Sequence, residues 1–245
     1  MKTPDTRTAI VTGAGSGIGQ AIAVVFAQAG IDIALSGRRE EALEETAARI
    51  RRIGPDPLVV PADVTDRPSV RGLTDRTVER FGRIDILVNN AGVNTAKRGL
   101  KDISESDWDR VIQINLTGAF NAFRAVLPRM EAQGGGLVIN ISSMAGKRAG
   151  VIGGAAYSAS KFGMASLTQS INAELRETGI RACCIYPGEV DTPILDVRPV
   201  PVSPQQRAAA LHAEDVAAAA LMVAQLPNRA VVEEITIFPR RVVAT

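Results

Sequence analysis

The chain has 245 residues, 46% hydrophobic and 22% charged, a balance that excludes wholesale disorder and is ample for one large α/β domain. Lys+Arg 28 against Asp+Glu 26 leaves a net charge of +2, and aromatic residues make up 4%, so neither a basic field nor interleaved stacking side chains point to nucleic acid. No apolar run approaches ~18 residues and Met1–Arg7 is polar, which predicts neither a membrane span nor a signal peptide and places the chain in a reducing cytoplasm.

In chain order, Thr8–Val11 is predicted as the first strand and runs into a glycine cluster, Gly13–Gly19. Gln20–Ala29 follows as a helix closed by Gly30. Ile31–Leu35 reads as a strand and Glu40–Ile53 as a helix with Glu and Arg on its outer face. Leu58–Val60 and Ile84–Val88 are strands on either side of a helix around Ser69–Phe81. Ser106–Met130 is predicted as one long helix, Leu137–Ile141 as a strand, Tyr157–Glu177 as a helix and Ile180–Ile185 as a strand. Ala213–Gln225 is the last helix and Glu234–Phe238 the last strand.

Short strands without polar alternation predict a sheet buried on both faces. Strand and helix alternate along the whole chain, so residues 1–245 are expected to form a single domain around a doubly wound parallel sheet. Pro187–Pro204 is the one irregular stretch, and a substrate loop around residues 187–212 is expected to cover a binding crevice. Cys183 and Cys184 are neighbours in a strand and point to opposite faces, so they are not expected to pair; with a single histidine, His212, no ordinary Cys/His zinc site is expected.

The chemistry begins at Thr12-Gly13-Ala14-Gly15-Ser16-Gly17-Ile18-Gly19, a strand-to-helix turn of the kind that brings backbone N–H groups to a pyrophosphate. Taken alone, such a turn is also an ordinary way to join a strand to a helix. Further along stand Asn89-Asn90-Ala91-Gly92, Asn115-Leu116-Thr117-Gly118, Ser142-Ser143, Tyr157-Ser158-Ala159-Ser160-Lys161 and Pro187-Gly188. Together, and in this order, they resemble the short-chain dehydrogenase/reductase family from Thr8 to Phe238. The resemblance implies a Rossmann-type fold and an oxidoreductase that moves hydride between NADP(H) and a small carbonyl or secondary alcohol. It also implies a tetrad of Asn115, Ser143, Tyr157 and Lys161, and a homotetramer or homodimer built on the helices around Ser106–Met130 and Tyr157–Glu177.

The residue types suit that chemistry. A carbonyl that receives hydride becomes an alkoxide and needs a proton, which Tyr157 is expected to give. Lys161 lies four residues on, shares its helix face, and is expected to draw down the phenol's ordinary pKa of about 10. Ser143 is expected to hydrogen-bond the carbonyl oxygen. It lies one residue further from Tyr157 than the family spacing, which puts an extra residue in Gly150–Gly154; Ser142 is the alternative. By resemblance, Asn115 interrupts its helix and holds a water that relays protons to Lys161.

The resemblance also implies a cofactor path. Gly13, Gly15, Ser16, Gly17, Ile18 and Gly19 would meet the pyrophosphate, Asp63 and Val64 the adenine, and Asn89, Ala91 and Gly92 the ribose side. Tyr157, Lys161, Pro187, Gly188, Val190 and Thr192 would meet the nicotinamide end, with Thr192 at the carboxamide. After the second strand the chain reads Gly37-Arg38-Arg39, with no carboxylate for a ribose hydroxyl, so NADP is expected over NAD. The plainer readings are that these arginines are solvated and that Asp63 is a turn residue. Lys147, Arg148, Arg198 and Arg207 are expected to be solvated loop charges, the alternative being an acidic substrate. An NAD-linked alcohol dehydrogenase is the rival enzyme. A nucleotide sensor without turnover is the rival from another class, although all four tetrad residue types are present.

Overall fold

Strand β1 (Thr8–Thr12) shows why the fold is layered: Ala9 and Val11 feed one apolar cluster and Ile10 the other, because successive side chains leave a strand on opposite faces. The same division holds in β4 (Ile86–Asn89), where Ile86 and Val88 oppose Leu87, and in β5 (Gly136–Ile141), where Leu137, Ile139 and Ile141 oppose Val138. A strand apolar on both faces needs a helix layer on each. In the computed structural model, which describes residues 6–240, that is the arrangement found. Met1–Asp5, part of the polar amino-terminal stretch, lie outside those residues.

Seven parallel strands form one sheet in the order β3-β2-β1-β4-β5-β6-β7, completed by β2 (Asp32–Gly37), β3 (Leu58–Pro61), β6 (Ile180–Pro187) and β7 (Glu234–Ile237). Helices α1 (Gly17–Gln28), α2 (Glu40–Arg51) and α8 (Ala213–Gln225) cover one face. Helices α3 (Arg67–Phe81), α5 (Gly118–Ala132) and α6 (Ala155–Leu175) cover the other. The strand order reverses between β1 and β4, which opens a crevice at the carboxyl ends of the strands. The expected single doubly wound domain is therefore the observed one.

Two segments differ from the sequence expectation. The stretch read as one helix from Ser106 to Met130 is α4 (Glu105–Ile112), a wider π-helical segment at Gln113–Thr117, and α5. The proline-rich loop holds a 3-10 turn at Pro193–Val197 and is followed by a short helix α7 (Pro204–Ala209), which a Ser203/Gln206 capping box starts. Cys183 and Cys184 are buried and unpaired, and they leave β6 on opposite sides. No helix among the described residues is long and apolar enough to cross a membrane.

Candidate active site

The crevice encloses about 1050 Å³ and takes its walls from the carboxyl ends of β1, β2, β4, β5 and β6. At its floor the β1–α1 turn is held flat by glycines: Gly13 has φ +65° and Gly17 φ +54°, conformations that side chains resist. A Cβ on Gly19 would lie 2.4 Å from both Asn90 Nδ2 and the Gly13 carbonyl. Gly19 is thus needed for packing beneath the turn, whereas Gly13, Gly15, Ser16, Gly17 and Ile18 line the crevice itself. The first N–H groups of α1 have no partner within the helix and Ser16 supplies no side-chain cap, which leaves the helix end open to an anion.

Asn90 secures this turn, a role the sequence did not disclose. Its Nδ2 donates to the carbonyls of Thr12 (3.0 Å) and Gly13 (3.1 Å), while Thr12 Oγ1 accepts from the N–H groups of Asn90 and Ala91. Asn89 departs from expectation. Its side chain turns away from the crevice, 2% exposed, and donates to Asn140 Oδ1 (2.9 Å) and the Ala119 carbonyl (3.2 Å). Alternation at the end of β4 sends neighbouring side chains to opposite faces. Ala91 and Gly92 do line the crevice.

At the β2 end, Arg38 and Arg39 are exposed on the crevice rim beside Gly37, and no carboxylate intervenes before Glu40. Asp63 and Val64 face them. Burial pushes the Asp63 carboxyl up, but the N–H and hydroxyl of Thr65 and the Arg38 charge outweigh it and hold the group below its ordinary value. Pro187, Gly188, Val190 and Thr192 form the opposite wall. A Cβ on Gly17 would come 3.1 Å from Thr192 Cγ2, so this loop crosses directly over the glycine turn.

Deeper in, Ser143, Tyr157 and Lys161 converge. Ser143 caps a 3-10 turn, with its Oγ accepting from the Ala145 N–H at 3.2 Å, and its hydroxyl favours the ionised form of the Tyr157 phenol. Ser142 Oγ instead donates to the Lys161 carbonyl at 3.0 Å and is buried against α6. Lys161 is 3% exposed; its Nζ donates to the Ile141 carbonyl at 2.8 Å and lies 5.5 Å from the centre of the Tyr157 ring. Burial lowers the Lys161 pKa to about 8.

Here one expectation is corrected. Burial raises the Tyr157 phenol, against the opposing pull of Ser143 and of the Arg98 charge; Lys161 does not bring it below its ordinary value. The lysine's proton-rich end is turned onto the β5 carbonyl, which explains the difference. Asn115 sits in the π-helical segment, fully buried, where its amide accepts from the Val93 N–H (2.8 Å) and donates to the Val93 carbonyl (3.0 Å) and to Ser160 Oγ (3.1 Å). Its side chain thus ties the Asn-Asn-Ala-Gly loop to α6 at Ser160, next to Lys161.

Most of the basic loop residues are already paired: Lys147 with Glu234 (2.6 Å), Arg198 with Glu189 (2.8 Å), and Arg207 with Asp191 (2.6 Å) and Asp196. Arg148 is exposed on the crevice rim. His212 begins α8, with its N–H on Asp215 Oδ2 at 2.8 Å. Burial raises both cysteine thiols, Cys183 to about 12, which disfavours the reactive thiolate.

With this geometry in view, the short chain dehydrogenase family matches residues 7–199. The chain belongs to that family. It is similar to the cis-4-hydroxycyclohexanecarboxylate dehydrogenase of Sinomonas cyclohexanicum, 38% identical over 223 residues that cover 89% of each chain. Actinorhodin polyketide ketoreductase with NADPH superposes with a TM-score of 0.89 at 32% identity, covering 98% of each chain. The alcohol dehydrogenase of the archaeon Thermococcus sibiricus, complexed with 5-hydroxy-NADP, gives a TM-score of 0.87 at 29% identity, over 96% of this chain and 97% of that one. This short-chain dehydrogenase is accordingly an NAD(P)-dependent oxidoreductase acting on a CH–OH/C=O pair.

Proposed function

We propose that the enzyme transfers hydride between NADP(H) and a small carbonyl or secondary alcohol, with Tyr157 as proton donor and acceptor. The observation that carries this reading is the convergence of Ser143, Tyr157 and Lys161 at the inner end of one crevice whose outer end carries Arg38 and Arg39. The glycine turn with its open helix end fits a pyrophosphate, and the two arginines fit a 2′-phosphate, which a carboxylate at Gly37 would repel. NADP or NADPH in the related structures agrees with this choice.

The nicotinamide, when bound, supplies or takes up the hydride. The chain's residues do the rest. Ser143 Oγ donates to the substrate oxygen and orients it, and the Tyr157 phenol, kept protonated by burial, gives its proton to that oxygen as charge develops there. Lys161, whose ammonium lies 5.5 Å from the Tyr157 ring centre, would hold the cofactor ribose and would pass a proton back to the phenol. Thr192, beside Gly17, would hold the carboxamide end.

The relative named for a hydroxycyclohexanecarboxylate makes a cyclic hydroxy acid a reasonable substrate. Two free thiols agree with the cytoplasm as the compartment. Exposed Trp108, Phe120 and Phe162 lie on α4, α5 and α6, the helices expected to join copies in a homodimer or homotetramer. The test is a panel of cyclic ketones (4-oxocyclohexanecarboxylate included), keto esters and aldehydes, offered with NADPH and with NADH while nicotinamide absorbance is followed. Faster turnover of at least one carbonyl with NADPH is expected; turnover with NADH alone returns the NAD-linked alternative, and binding without any turnover returns the sensor.

A further inference from the structure

Arg98 is the one deeply buried arginine of the crevice wall, 6% exposed, and nothing in the family motifs marks it. Its guanidinium donates to three backbone carbonyls on three different loops: Nε to Thr95 (2.7 Å), Nη1 to Ile152 (2.9 Å) and Nη2 to Val197 (2.6 Å). These belong to the loops after β4, before α6 and after β6, which together wall the inner end of the crevice. Carbonyls hold the guanidinium without cancelling its charge, and among the described residues no carboxylate forms an ion pair with it. A buried charge left in that condition is costly, so a fold that keeps one constrains it strongly.

The loop before α6 is shaped around this side chain. Gly154 has φ +75°, and a Cβ there would lie 2.6 Å from Arg98 Cβ; a Cβ on Gly153 would lie 3.6 Å from Tyr157 Cδ1. Two adjacent glycines thus seat the arginine stem on one side and the reacting ring on the other. Asn94 Nδ2 closes the same contact by donating to the Gly153 carbonyl at 3.0 Å.

We propose that Arg98 is a positioning residue for the proton donor: three loop carbonyls fix its guanidinium so that it keeps a permanent positive charge in the loop wall that seats the Tyr157 ring. The proposal rests on reading Tyr157 as that donor. The charged and titratable groups around the phenol are Lys161 on its own helix, Ser143 before it, Arg98 after β4, and Arg148 on the rim; Arg198 is offset by Glu189 and Arg207 by Asp191 and Asp196. The mutual effect is visible from both sides. Burial raises the phenol while Arg98 pulls it down, and burial and Arg198 lower the guanidinium while the phenol raises it. A fixed cation there favours the phenolate left after proton transfer.

The chain has two tyrosines, so Y186F leaves Tyr157 as the only phenol and its titration can be followed directly by near-ultraviolet tyrosinate absorbance. The measurement uses the full chain with NADP, with circular dichroism to verify folding at each pH. R98M and R98Q in the Y186F background should move the midpoint up by about one pH unit, the scale of losing a nearby opposite charge. NADPH affinity should stay within about twofold in both, since the arginine lies away from the β2 end. R98Q still hydrogen-bonds carbonyls, so it carries the test if R98M does not fold. An unmoved midpoint in R98Q overturns the proposal. Normal turnover in Y157F would remove the premise about the donor instead, and the two failures are read in different experiments.

Discussion

On the proposed reading, the chemistry at Tyr157 reduces to one hydroxyl, whose burial favours its protonated form. Y157F preserves the ring and deletes the proton, so turnover should fall at least ~10²-fold with NADPH affinity nearly unchanged, as steady-state rates and fluorescence titration would show. The neighbouring serines differ in the same way. Ser143 favours the ionised phenol whereas Ser142 Oγ is spent on the Lys161 carbonyl, so S143A should lose far more kcat than S142A, and the reverse ranking would reassign the oxyanion contact. Lys161 yields a prediction of opposite sign for stability. Its folded pKa of about 8 lies below the lysine value of 10.5, so the unfolded chain holds the proton more tightly and the native state carries a burden below pH 8. That burden is about 3 kcal/mol before the Ile141 hydrogen bond is counted, and it fades as pH rises through 8 toward 10.5. K161M without cofactor should therefore unfold at higher urea than wild type at pH 7, by roughly 1–2 kcal/mol, with the gap narrowing in alkaline buffer. The closeness of Tyr157 and Lys161 was legible because the two share a helix face. Arg98 was not, since no spacing in a loop announces that three carbonyls will converge on it. Asn89 was misread because a motif names a residue without saying which face of the strand it will take.

At the scale of elements, the proposed preference for NADP is tested at the β2 end. A Cβ on Gly37 would meet only Leu43 Cδ2 at 3.5 Å, so G37D fits without strain and puts a carboxylate where a 2′-phosphate is expected. G37D should turn preference toward NADH. R38A should weaken NADPH by about ten- to a hundredfold, the worth of paired charge-assisted bonds, while NADH changes little. Equal weakening of both cofactors would make Arg38 a surface charge only. Strands and helix starts were readable from apolar runs and glycine turns, and α8 falls on the very residues expected, Ala213–Gln225. The π-helical segment was not readable from periodicity, because it exists to let Asn115 bond sideways to Val93 and Ser160 rather than to satisfy a helix pattern. Helix α7 was hidden by the prolines around it, although Ser203 and Gln206 spell its capping box.

For the whole molecule, the strand reversal between β1 and β4 brings together a turn near residue 15, an arginine pair near 38 and a tyrosine on α6, which are far apart in sequence. That assembly is what makes hydride transfer with NADP(H) the central claim, and the transferred atom itself can be traced. Reduction of a carbonyl from the panel with NADPH deuterated at the nicotinamide C4 should give an alcohol that carries the deuterium on its carbinol carbon, with Y157F forming that product at least ~10²-fold more slowly. An alcohol without deuterium, or an equal rate in Y157F, would contradict the account.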